Sequence, residues 1–119
     1  MPSTTTYERG QVVVVAVPFS DRSGVKARPA LVVSTAAFHA SLPDLLVCPI
    51  SSQARFFRRP GDGDWPLRSW KTVGLRHPST VRVAKLLAVD KGIINRALGR
   101  LEALDLDGVG NELRRALGL

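Results

Sequence analysis

Two apolar, β-branched runs, one in "RGQVVVVAVPF" and one in "RPALVVST", follow each other with only "SDRSGVKA" between them. Side chains branched at Cβ favour extended, pleated backbone. The intervening segment is rich in turn formers. It is too short for the crossover helix that two parallel strands need. The spacing therefore predicts an antiparallel pair and sets aside a parallel, doubly wound fold. Pro18 closes the first run, and Pro29 stands at the beginning of the second, where a residue lacking an N–H is tolerated.

The rest of the chain continues this pattern. Residues 1–6 read as a frayed tail. "AAFHASLPD" reads as a helical turn or a loop, and "LLVCPIS" as a third strand ending near a proline. "SQARFFRRPGDGDWPLRSWK" has neither helical nor strand periodicity and is expected to be a long loop or irregular hairpin, a kind of segment that often carries function. "STVRVAKLLAV" reads as the fourth strand, with a shorter one upstream around "TVGL". "DKGIINRALGRL" predicts a short helix, with Asp90 as its N-cap and Gly99 near its end. "DLDGVGNELRRALGL" predicts a C-terminal helix with Leu106, Val109, Leu113 and Leu117 on one face and Arg114 and Arg115 elsewhere. Its 119 residues suit one domain, without repeat or linker. The expectation is a mainly β fold with a C-terminal helix, as a small antiparallel barrel or a curled sheet capped by that helix.

Several chemistries are not expected. Cys48 is the single cysteine, so no disulfide can form within the chain. The N-terminal residues lack the apolar segment of a secretion signal, and the longest apolar run is far short of the roughly 20 residues that span a bilayer. The reading is a soluble, cytoplasmic protein with no membrane partner. His39 and His77 have no partner at ligand spacing, so neither metal nor cofactor is expected, and lone histidines of this kind are usually surface or partly buried polar residues. The glycine-rich loops of nucleotide-binding proteins and the serine elbow of hydrolases are missing.

Lys and Arg total 17 against 10 Asp and Glu, a formal charge of +7. Such a surplus suits an anionic partner, although it also serves simple solubility. Lys26 and Arg28 share one loop-to-strand junction. Ser51, Ser52 and Gln53 close the third strand. Arg55, Arg58 and Arg59 surround Phe56 and Phe57, and Arg82 and Lys85 lie in the fourth strand region. A guanidinium gives phosphate a two-pronged, permanently charged partner. Aromatic rings among basic residues suit the stacking of single-stranded bases. "RFFRR" reads equally well as core phenylalanines flanked by solvated arginines.

The segment "RGQVVVVAVPFSDRSGVKARPALVVS" resembles the opening of the MazF/PemK toxin family, where a glycine precedes a strand, a variable loop follows, and a short R-P-A/V-L-V-I/V strand comes next. "LVCPISSQ" is similar to that family's next strand, and "STVRVAKLLAVDKGIINRALGRL" to its later segment. The ordered set spans about residues 8–104. The resemblance implies an SH3-like antiparallel barrel, a homodimer, and sequence-specific, metal-independent cleavage of single-stranded RNA. It also implies a cognate acidic antitoxin, with DNA contacted only through the antitoxin complex.

Carried over residue by residue, the resemblance makes Arg28 and Ser51 the catalytic pair, with serine where threonine is more usual. Lys26, Gln53, Arg55, Phe56, Arg58 and Arg82 become the RNA-contacting set. Arg82 matches an arginine that one branch of the family follows, two positions on, with an aspartate, but Ala84 stands there in this chain. No general base is evident; Asp21 and His77 are weak candidates. Cleavage specificity is expected in the loops at 20–27 and 53–71. The alternative is a non-catalytic toxin, or a DNA- or protein-binding module, on the same barrel.

Overall fold

A computed structural model describes residues 6–18 and 25–119. Its elements are β1 (Gln11–Pro18), β2 (Val25–Val32), α1 (Ala36–His39), β3 (Asp44–Ser51), α2 (Ala54–Arg58), β4 (Asp64–Pro66), β5 (Thr80–Arg82), β6 (Leu87–Asp90), β7 (Ile94–Arg100) and α3 (Ala103–Leu117). The seven strands form one sheet in the order β4-β5-β3-β2-β1-β7, and β6 also pairs with β3. All pairings are antiparallel, as the short first connection requires.

The sheet is buried on both faces. One face carries Val12, Leu31, Cys48, Ile50 and Val81 beneath Leu67, Val73, Leu101 and Val109. The other carries Val13, Val15, Ala30, Val32, Leu45 and Val47, against which Tyr7, Ile93 and Ile94 pack. Successive valines of β1 serve opposite faces, so Val12, Val13 and Val15 are all essentially inaccessible.

Two prolines set where the sheet divides. Val33 N–H donates to Leu46 and Val32 C=O accepts from Gly10, so odd-numbered residues of β2 turn their backbone groups toward β3. Pro29 is one of these and has no N–H to give, and the β2–β3 ladder ends next to it at Ala30↔Pro49. It lies inside β2, opposite Val14, rather than at the strand's beginning. On β3 the alternation is the reverse, and Pro49 faces the other edge. There the pairing breaks between Ile50↔Val81 and Val47↔Leu87, and a 3-10 turn at Val83–Lys85 takes up the surplus residues. The expected fourth strand is therefore two short ones, β5 and β6.

This break corrects the expectation of an SH3-like barrel. The described strands do not close on themselves: the order ends at β4 on one side and β7 on the other, with no ladder between them. β4 and β5, three residues each, pair only with each other and with the end of β3. The apolar face that closure would enclose is covered by α3, which packs Leu106, Val109 and Leu113 against it. Leu117, placed by the sequence on the same apolar face, is 55% exposed.

Three further readings are corrected. Residues 94–100 form β7 rather than a helix, because β1, a strand of buried valines, needs a partner on its second edge. Asp90 does cap, but it caps a single 3-10 turn, accepting from Gly92 N–H. The long irregular segment contains α2 and β4, and "TVGL" is a turn, not a strand. Gly99 is required in β7, since a β-carbon there would stand 2.8 Å from the Val73 carbonyl oxygen.

Asp105 ties α3 to the sheet. It is 1% exposed, and its carboxylate accepts from Trp65 Nε1 at 3.0 Å and from the backbone N–H groups of Arg68 and Ser69. Three donors offset the cost of burying the charge.

Candidate functional site

The site is built where β2 and β3 part. The β2–β3 ladder ends at Ala30↔Pro49, Arg28 and Ser51 each lie two residues beyond that last pair, and Ser51 is paired with Thr80 of β5. Residues opposite one another across antiparallel strands share a face, as Ser51 and Thr80 do, and alternation along β2 and β3 puts Arg28 with Ala30 and Ser51 with Pro49. Their face is that of Ala30 and Val32, away from α3. Arg28 is exposed and Ser51 half-buried. Arg28 is thus at the accessible end of an otherwise packed face, on a strand paired along its whole length with β1. Ser51 Oγ accepts from Gln53 N–H at 3.2 Å, which links the end of β3 to the start of α2.

Arg82 follows Thr80 on the same face of β5, diagonal to Ser51, at a Cα separation of about 7–8 Å typical of that relationship. Its Nε donates to Asp64 Oδ1 at 2.6 Å, and Asp64 is its cross-strand partner on β4. Asp64 Oδ2 accepts from Gly61 N–H at 2.9 Å. The Phe56 ring lies over the Arg82 guanidinium, 3.7 Å from Cζ to the ring centroid, and the Arg55 guanidinium lies 4.6 Å from the same ring. "RFFRR" is therefore neither buried core nor wholly solvated: α2 lays half-buried Phe56 across an arginine of the sheet.

Of the residues singled out by sequence, Arg28 and Ser51 each lie two residues beyond the last β2–β3 pair, and Arg55, Phe56 and Arg82 are joined by stacking. Gln53 meets Ser51 through its backbone. Lys26 lies two residues from Arg28 on β2, and Arg58 ends α2; both are exposed. Asp21 and part of the 20–27 loop lie outside the described residues. His77 is exposed beyond the start of β5. Ala84 sits in the 3-10 turn, and the carboxylate that meets Arg82 comes from β4 instead. Sequence reasoning missed Asp64: in "PGDGDW" it reads as one more turn residue, although Gly61 does form such a turn with it.

His39 is 1% exposed and structural. Its Nδ1 is 2.8 Å from Ser34 Oγ and its Nε2 2.6 Å from the Tyr7 carbonyl oxygen. The carbonyl can only accept, so Nε2 carries a proton, and Ser34 Oγ, bonded to Nδ1, also accepts from Leu46 N–H. Among the described residues no three His, Cys, Asp or Glu side chains group as metal ligands, and no helix is long and apolar enough to cross a membrane. An open cleft of about 440 Å³ runs beside β4, lined by Phe57, Trp65, Pro66, Leu67, Arg68 and Trp70.

Comparison with known proteins agrees with this architecture. The sequence profile of "PemK-like, MazF-like toxin of type II toxin-antitoxin system" matches residues 8–117. A chain of the MazE–MazF complex from Deinococcus radiodurans superposes with a TM-score of 0.78 at 22% identity, covering 98% of this chain and 99% of that one. An endoribonuclease in complex with its cognate antitoxin, from a mycobacterial species, gives 0.76 at 19% identity over 95% and 96%. The Mycobacterium tuberculosis toxin MazF-mt6 gives 0.68 at 21% over 90% and 97%. No curated protein sequence matches significantly.

Proposed function

This chain belongs to the PemK-like, MazF-like toxins of type II toxin–antitoxin systems, and from that premise we propose that it is an endoribonuclease that cleaves single-stranded RNA without a metal ion. The observation that carries the proposal is the end of the β2–β3 ladder at Ala30↔Pro49: Arg28 and Ser51 each lie two residues beyond that last pair, with Arg82 diagonal to the serine on β5.

The chemistry suited to such residues is internal transesterification. The ribose 2′-hydroxyl loses its proton and its oxygen bonds to the adjacent phosphorus. The bond from phosphorus to the 5′ oxygen breaks, and that oxygen leaves with a proton. The products are a 2′,3′-cyclic phosphate and a 5′-hydroxyl. Charge accumulates on the nonbridging oxygens, where a guanidinium on a rigid strand is of most use. Arg28 supplies that charge and Ser51 a hydrogen bond to a nonbridging oxygen. A guanidinium keeps its charge in proteins, so Arg28 acts as an electrostatic partner rather than a proton donor. Lys26, Gln53, Arg55, Phe56 and Arg58 flank these two residues and follow the RNA on either side.

The solved relatives that carry an antitoxin support a further element. With a net charge of +7, this chain suits an acidic antitoxin segment laid over the same basic surface. Homodimerisation is part of the same reading.

The test is incubation of the purified chain with single-stranded RNA in the presence of a chelator, followed by mapping of the ends. Cyclic phosphate and 5′-hydroxyl termini are expected, and Arg28→Ala should abolish them. Uncleaved RNA, or 5′-phosphate termini, would overturn the proposal; RNA bound but left intact would instead favour a binding module.

A further inference from the structure

We propose that Asp64 is a positioning residue of this site, which holds the Arg82 guanidinium in one orientation so that its terminal nitrogens meet an RNA phosphate beside Ser51. The inference rests on the ribonuclease reading for its substrate class and on Asp64's own geometry for everything else.

The Asp64 side chain is 5% exposed and that of Arg82 19%. Withdrawing a carboxylate from water is costly unless every oxygen finds a donor. Here both do: Oδ1 takes Arg82 Nε and Oδ2 takes Gly61 N–H. A pair that served only to join β4 to β5 would not need the guanidinium to lie against an aromatic face as well. Phe56 supplies that face at 3.7 Å, so the planar group is fixed along its Nε edge by Asp64 and across its plane by Phe56. The bond to Asp64 uses Nε, which leaves the two-pronged end of the fork outside that bond.

A lysine could not be held this way, since an ammonium has neither a plane to stack nor an Nε edge to anchor. The fixed orientation matters because of where Arg82 stands. It is diagonal to Ser51 across the β3–β5 pair, on the side away from Arg28. The two arginines therefore lie on either side of β3, the strand that ends in the serine. A chain with a phosphate at each nucleotide can engage both.

The test is a double-mutant cycle on binding of a 2′-O-methyl RNA of mixed sequence, which can bind but cannot undergo internal attack. Asp64→Asn and Arg82→Ala should each weaken binding about tenfold, as loss of a charge-assisted contact does. Each should also reduce the slope of log affinity against log salt by about 0.7, the contribution of one phosphate on a single strand. In the Arg82→Ala protein, Asp64→Asn should have no further effect. A purely structural aspartate leaves the salt slope unchanged and acts equally in both backgrounds, and either result overturns the proposal. Wild-type protein that does not bind the probe overturns it too. Should Asp64→Asn fail to fold, Arg82→Lys decides: binding as poor as that of Arg82→Ala supports a held guanidinium, and wild-type binding refutes it. Cleavage of unmodified RNA by the wild-type chain reads the ribonuclease proposal separately, so binding with the expected cycle but without cleavage sinks that proposal alone.

Discussion

Gly108 of α3 lies against the Trp65 indole, so close that a β-carbon at position 108 would stand 2.2 Å from Cζ2. The same indole donates Nε1–H to Asp105, one helical turn earlier. One tryptophan is thus held by a carboxylate at its edge and by bare backbone beside its ring. Gly108→Ala should cost about 2–3 kcal/mol, the usual penalty for forcing an extra carbon into a packed contact. Urea unfolding followed by tryptophan fluorescence measures it, and a wild-type midpoint would show that the helix can draw away from the indole without cost.

Ser51 is expected to act through its hydroxyl. Removal of one preorganised donor to a developing oxyanion costs about 10²-fold or more in turnover. Ser51→Ala should lose at least that much while keeping its unfolding midpoint. Ser51→Thr should retain activity, because the hydroxyl stays and the added methyl restricts its rotamers. Single-turnover cleavage rates separate the two variants, and equal rates would remove the hydroxyl from the chemistry.

Thr80 pairs with Ser51 but plays no comparable part. It is fully buried, and among the described residues its Oγ1 has no hydrogen-bond partner. Valine is close in shape and carries no desolvated hydroxyl. Thr80→Val is therefore expected to raise stability by about 1 kcal/mol, within the range for relieving an unsatisfied polar atom. A lower denaturation midpoint would show that the hydroxyl is bonded in solution.

Burial pushes the Cys48 thiol from an ordinary value of 9.0 up to about 12. The folded state thus holds this proton more tightly than the unfolded chain does. The stabilisation is complete below pH 9 and is lost as pH rises from there toward about 12. The native protein should resist thiol reagents at mildly alkaline pH and react fully once denatured. Rapid modification of the native protein would place the thiol at the surface.

The early strands and the last helix are legible in the sequence because their signals are local. A run of valines favours extended backbone whatever it packs against, and the apolar spacing from Leu106 to Leu113 describes a helix before any sheet is present. Residues 94–100 mislead for the opposite reason. Their intrinsic preference is indifferent, and the open edge of β1 decides that they become a strand. The expected barrel does not form because closure depends on ladders. Pro29 and Pro49 interrupt two of those on opposite edges, and which edge a proline faces follows only from register.

The candidate site divides along the same line. Its residue types can be read from the chain: arginine beside proline, a hydroxyl ending a strand, arginines around phenylalanines. That Arg28 and Ser51 both lie two residues beyond the last β2–β3 pair, and that Phe56 and Asp64 meet at Arg82, is decided by strand pairing and by the fold of α2 over the sheet. Side-chain chemistry and backbone preference belong to each residue and its neighbours, so the linear order carries them. Cross-strand registry is a property of distant segments brought together, and it exists only once the sheet has formed.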